Sequence, residues 1–193
     1  MTSPASIAPP SLAALHAAAA AAGLAVCASA SWPEAAADTE VPALAGFIES
    51  SFSPLLAEVG ARALRRRAQP QGSGNVTAIV MVTALGDVTS AVRVAAAVDA
   101  GKRVSPLLFF QSVPNAVAGY LAVRWQLTGP VVCVSGIRAG VDVARLLIED
   151  ADADEALVVC VDLAVANGDR DRAAAILVTG PATGNGTEPH EPD

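Results

Sequence analysis

Eight consecutive residues, 76–83, read Val-Thr-Ala-Ile-Val-Met-Val-Thr, without a charge and without the apolar/polar alternation of a half-wet strand. A β-prone run of this kind leaves no side for water and belongs to a strand covered on both faces. Such a strand needs a layer above it and a layer below it. The flanking pattern says what those layers are. Asp87 starts a helix to about residue 100, with Val88, Ala91, Val92, Ala95 and Val98 on one face. Residues 106–113 form a second apolar segment, and Pro114 opens a helix to about Gln126. Gly129-Pro130 turns into a strand at 131–135, and a glycine-flanked turn at 136–140 leads into a helix ending near Glu149. Residues 156–163 and 173–179 read as two last strands joined through Asn167-Gly168-Asp169. Strands alternating with helices predict an α/β layered domain with a largely buried sheet.

Upstream, Ser11 caps a predicted helix to about Ala22, which Gly23 stops. A short buried strand over 24–30 follows, then an acidic loop opened by Trp32-Pro33. A broken helix is expected over 43–67, interrupted near Pro54 and ending in Arg62, Arg65, Arg66 and Arg67. Residues 69–75 read as a flexible linker. With 193 residues there is material for one domain. Its expected limits are a leader at 1–10, the domain at 11–180 and a Gly/Thr/Glu/Pro-rich disordered tail at 181–193.

Charge is segregated along the chain. Residues 1–61 carry five acids and no base, 62–146 ten bases against three acids, and 147–193 eleven acids against two bases. The net charge of −7 argues against binding driven by nucleic-acid phosphates. The basic middle either attracts an acidic partner or, the blander alternative, pairs internally with the acidic C-terminal third. No stretch approaches the ~20 strongly apolar residues of a membrane span. The apolar run at 12–26 has no preceding base, unlike a secretory signal. Cys27, Cys133 and Cys160 form no CxxC pair, as in a reduced, cytoplasmic protein. Gly72-Ser73-Gly74 precedes a strand where a dinucleotide loop would follow one, so no cofactor is expected. Two histidines, His16 and His190, support neither a metal cluster nor a histidine-based triad.

Residues 111–139, QSVPNAVAGYLAVRWQLTGPVVCVSGIRA, are the least generic part of the chain. The order Ser-Val-Pro-Asn-Ala-x-Ala-Gly, a helix with Ala-x-Arg-x-x-Leu-x-Gly-Pro, and a strand ending in Val-Ser resembles the β-ketoacyl synthases. The resembling run is the one that precedes the nucleophilic cysteine in their N-terminal half. The likeness extends back over 77–101 and forward over 142–179, about 100 residues in all, and is loose before residue 70. It implies a single thiolase-like half-domain with a five-stranded mixed sheet covered by helices. In that family the strand runs into a Thr-Ala-Cys-Ala-Ser turn at a helix N-terminus, where the macrodipole favours the thiolate. Aligning Val134-Ser135 with the family's Val-Ser puts Arg138 at the cysteine position. The family's further catalytic residues, His with His or Asn, come from a second half that would begin where this chain ends.

The resemblance therefore implies a non-catalytic accessory subunit, like a chain-length factor, in type II polyketide or fatty acid biosynthesis. Its expected partners are a ketosynthase, an acyl carrier protein or both, in a homo- or heterodimer. Partner contacts are assigned to the strand Val131, Val132, Cys133, Val134 and Ser135, to Arg138, and to the cluster Arg62, Arg65, Arg66 and Arg67. Arg138 is either a tolerated surface residue paired with Asp142 or a cation that holds a partner's anionic group. Two alternatives stay open: a small acyl-thioester-handling enzyme using Cys160 or Ser135, and a purely structural self-associating remnant. For all three cysteines the plainer expectation is a small buried side chain. In the family the helix after the cysteine turn packs on the second half, so the apolar face Val141, Val143, Ala144 and Leu147 needs some other cover.

Overall fold

A computed structural model of the chain describes residues 11–68, 74–111, 113–164 and 170–181. The expected leader (1–10), most of the linker (69–73), the turn at 167–169 and the tail from 182 onward lie outside the described residues. The elements run α1 (Leu12–Ala21), β1 (Ala25–Trp32), α2 (Phe52–Arg65), β2 (Thr77–Val82), α3 (Val88–Asp99), α4 (Pro106–Gln111), α5 (Pro114–Trp125), β3 (Val131–Val134), α6 (Ile137–Glu149), β4 (Glu155–Asp162) and β5 (Arg172–Thr179).

All five strands form one mixed sheet in the order β1-β5-β4-β2-β3. Strand β2 runs parallel to β3 and β4, while β5 is antiparallel to β4 and β1. Every residue of β2 is buried, as its unbroken apolar run requires. Successive side chains of β2 go to opposite sides. Ile79 and Met81 join Phe52, Leu55 and Leu121 from α2 and α5, and Ala78, Val80 and Val82 join Leu15, Val141 and Ala144 from α1 and α6. The sheet is thus the middle of three layers. Fully burying each Leu, Ile or Val side chain contributes about 1.5–3 kcal/mol, so both faces need their helices.

The predicted caps hold. Ser11 Oγ accepts the Ala14 N–H at 3.1 Å, and Asp87 Oδ1 accepts the Ser90 N–H at 3.0 Å. Two expectations change and one open segment is resolved. Residues 43–51 are not helical; α2 begins at Phe52, with Pro54 in its first turn, where the missing N–H costs no intrahelical bond. Residues 106–111 form the short helix α4. The turn expected at 136–140 shrinks to Gly136, whose φ of +92° suits only glycine, and Gly140 already lies inside α6. A Cβ at Gly140 would run into Val82 Cγ2, so this glycine lets α6 settle on β2.

Helix α1 answers the question of what covers α6. It packs on α6 and on β1 and β5, burying Leu15 and Ala19 one turn apart, and α6 buries Val141 and Ala144. The outer side of α6 carries exposed Arg138, Asp142 and Glu149, with exposed Leu146 among them.

Candidate functional site

Two strands end the sheet, β1 on one side and β3 on the other. The outer edge of β1 is blocked. A bulge at Cys27 shifts its register between Val26 and Ala28, Pro33 follows directly after the strand, and Arg66 Nη1 donates to the Ser29 carbonyl at 2.7 Å. Such devices keep a foreign strand from adding to an edge. Strand β3 also has a proline beside it, Pro130 directly before Val131, but no bulge in its pairing with β2, and Val131, Val132, Cys133 and Val134 are all exposed or half-buried without a charge among them. Cys133 is exposed, and partial desolvation pushes its thiol up.

A second apolar surface was not legible in the sequence. Helix α3 buries only Ser90 and packs closely on no other helix or strand. Of the apolar face read from the sequence, Val88 is half-buried against the core, while Val92 and Val98 are 68% and 62% exposed. Phe109 and Phe110 of α4 are 69% and 61% exposed, and Val123 of α5 84%. Valines at helical spacing read as a core face from sequence, because spacing reports only which residues share a side. The adjacent pair Phe109-Phe110 was the one available signal, since neighbours on a helix diverge by 100° and both rarely bury in a short segment.

The corner between β3 and α6 holds the residues aligned with the family's nucleophile turn. Gly136 caps α6 without a side chain, and Ile137, Arg138, Ala139 and Gly140 follow. None carries a thiol or hydroxyl. Arg138 is exposed, and no described carboxylate lies within ion-pair distance of it, so the pairing with Asp142 is not formed. Ser135 is exposed just before the corner. Cys160 is buried in β4, where burial first and the neighbouring Asp162 second push its thiol up to about 12. A thiol held that far from ionisation makes a poor nucleophile at neutral pH. The expectation of burial holds for Cys160 alone, because Cys27 sits in the bulge of an edge strand and Cys133 on the open edge. Of the two histidines, His16 is exposed on α1 and His190 lies outside the described residues.

The arginine cluster is largely engaged within the chain. Arg62 makes a bidentate pair with Asp38 at 2.8 Å, bonds Glu58 at 2.7 Å and stacks 4.7 Å from the Trp32 ring centroid. Arg66 grips Glu34 with two bonds of 2.7 and 2.6 Å. Arg67 pairs at 2.7 Å with buried Glu155, which also accepts the Thr77 hydroxyl. These arginines therefore tie the loop 33–51 and β4 to α2. The acids they meet come mostly from the N-terminal segment and from α2 itself, with Glu155 the one from the C-terminal third. Arg65, 53% exposed and 3.6 Å from Glu58, keeps the freest charge of the four.

The family described as "Beta-ketoacyl synthase, N-terminal domain" matches residues 18–170. Solved structures of similar fold include a ketosynthase in complex with its chain length factor from Xenorhabdus doucetiae, at 18% identity and a TM-score of 0.65, covering 82% of this chain and 79% of the matched one. The ishigamide ketosynthase/chain length factor matches at 19% identity and a TM-score of 0.59, covering 74% of this chain and 47% of the other. A β-ketoacyl synthase from Burkholderia phymatum matches at 14% identity and a TM-score of 0.57, covering 77% and 46%. This chain thus spans about half the length of the last two, and the matched chain from Xenorhabdus is close to its own length. No curated protein matches.

Proposed function

The chain belongs to the β-ketoacyl synthase N-terminal domain family, and on that premise we propose that it is a non-catalytic accessory subunit, chain-length-factor-like, that pairs with a ketosynthase in polyketide or fatty acid biosynthesis. The observation that carries this reading is the difference between the two sheet edges. One is closed by a bulge and an arginine; the other, β3, has an unbroken register and is apolar. A monomer left with such an edge is an aggregation hazard, so a second strand belongs beside it. The exposed apolar residues of α3, α4 and α5 add to what a partner would cover.

The chemistry points the same way. At the start of α6, where the family places its thiol, stands Arg138, and a guanidinium cannot carry an acyl group. Cys160 is sealed in the sheet and held protonated, which weighs against the thioester-handling alternative. The charged residues on the outer side of α6 and the cover supplied by α1 suit a half-domain that works without a second half stacked on that helix. Two solved complexes of similar fold pair a ketosynthase with a chain length factor, and this reading carries that pairing to the present chain. An acyl carrier protein is a further proposed partner, with Arg65 the cluster arginine most available to it.

Co-expression of the tagged chain with the ketosynthase of its own host tests the proposal. A complex that purifies in equal stoichiometry is expected. Recovery of the chain as a soluble monomer at high concentration, with no ketosynthase bound, would overturn it.

A further inference from the structure

Where the first turns of α2 and α3 meet, five polar side chains converge without all being satisfied by one another. Ser50 Oγ donates to Asp87 Oδ1 at 2.6 Å and accepts the Phe52 N–H at 3.1 Å. Ser90 Oγ donates to Asp87 Oδ2 at 2.7 Å. Each hydroxyl has a single proton, so Ser50 and Ser90 have spent theirs on Asp87 and can offer only lone pairs to anything else. Ser53, 3% exposed, is different: its Oγ is buried and has no hydrogen-bond partner among the described residues. Ser53, Ser50, Ser90, Asp87, Glu49 and Phe47 line one small cavity of ≈ 10 Å³. That is the room of a single water molecule.

The geometry points to one ordered water in this cavity, accepting the Ser53 proton and donating to the lone pairs that Ser50 and Ser90 leave free. The donor-poor walls call for a species that brings its own hydrogens, and of the two carboxylates in the lining Glu49 is already paired with Arg93 and Asp87 with the Ser50 and Ser90 hydroxyls. The site matters because α3 is held only at its start: it buries Ser90, which lines this pocket, rests Val88 half-buried against the core and pairs Arg93 with Glu49. The water would join α2 to the start of the helix that carries the exposed Val92 and Val98.

A crystal structure of the whole chain, at a resolution that orders waters, tests the assignment. One peak is expected at roughly 2.7–3.2 Å from Ser53 Oγ and from Ser50 or Ser90 Oγ. No peak beside a well-ordered Ser53 overturns the inference, as does a peak that rubidium replaces in a soaked crystal. In Ser53→Ala the peak should be lost; an unchanged peak would show that Ser53 is not its partner. In solution the same variant should speed amide exchange over residues 90–93 severalfold. Exchange at the wild-type rate would show that the water does not hold α3.

Discussion

Arg138 puts a full positive charge in the first turn of a helix, where the macrodipole favours an anion, at a cost of a few tenths to ~1 kcal/mol. No described carboxylate relieves it. Changing Arg138→Cys removes that cost and creates a thiol at a helix N-terminus, which should alkylate rapidly. Condensation of acyl and malonyl thioesters is nonetheless expected to be undetectable in the wild type and in Arg138→Cys, because a thiol alone lacks the proton-handling partners the reaction needs. Turnover by either protein would contradict the accessory role. The arginines of α2 make a second residue-scale contrast. Arg62→Ala removes a bidentate pair and a ring contact from a half-buried site and should cost about 1–3 kcal/mol, whereas Arg65→Ala should stay within about 0.5 kcal/mol. Urea unfolding midpoints measure both, and equal effects would refute the distinction. In the sequence the four arginines look alike. What separates them is Trp32, Glu34 and Asp38, brought from more than twenty residues away by tertiary packing.

Strand β3 is the element on which the functional reading turns. Its place was legible, since Gly129-Pro130 and Gly136 bracket an apolar run, but edge or centre could not be read from four apolar residues. The pairing supplies that: among the described residues β3 pairs with β2 on one side and with no strand on the other. Val132→Lys places a charge on the open edge and should split the complex or the homodimer by sedimentation, leaving the circular dichroism of the fold intact. Cys133 provides the matching footprint. It should react with a thiol reagent in the free chain and become protected when a partner strand is bound, and reactivity independent of the partner would place the interface elsewhere. For α3 the periodicity gave the shared face but not what lies opposite it. A helix can be amphipathic toward a surface that another protein supplies.

At the scale of the whole molecule, the layered fold and the family followed from the run at 76–83 and the segment 111–139, which are local in sequence. The cover of α6 by α1 was left open, because α1 is apolar all round and its pattern names no neighbour. Stability against pH gathers several of these contacts. The hydrogen bond from Arg62 chiefly depresses Asp38, and that from Arg66 chiefly depresses Glu34, below their ordinary values of 3.8 and 4.5. Their contribution is therefore complete above about pH 4.5 and is lost as pH falls below it. Cys160 acts in the opposite direction: its thiol, raised from 9.0 to about 12, contributes fully below pH 9 and progressively less as pH climbs toward 12. Thermal midpoints across pH should fall at both ends. The alkaline fall should shrink in Cys160→Ala, and an unchanged alkaline limb would show that Cys160 does not cause it.

The isolation of α3 also bears on how many copies of the chain persist in a cell. A helix that buries one serine can open locally at small cost, and opened backbone is what proteases cut. Limited proteolysis of the free chain should begin within residues 91–111. Copies bound to a partner would be shielded there, and surplus copies would be the ones removed. Supply of this subunit would then follow supply of its partner without any dedicated regulator, and a cellular half-life that lengthens when a ketosynthase is co-expressed is the sign to look for.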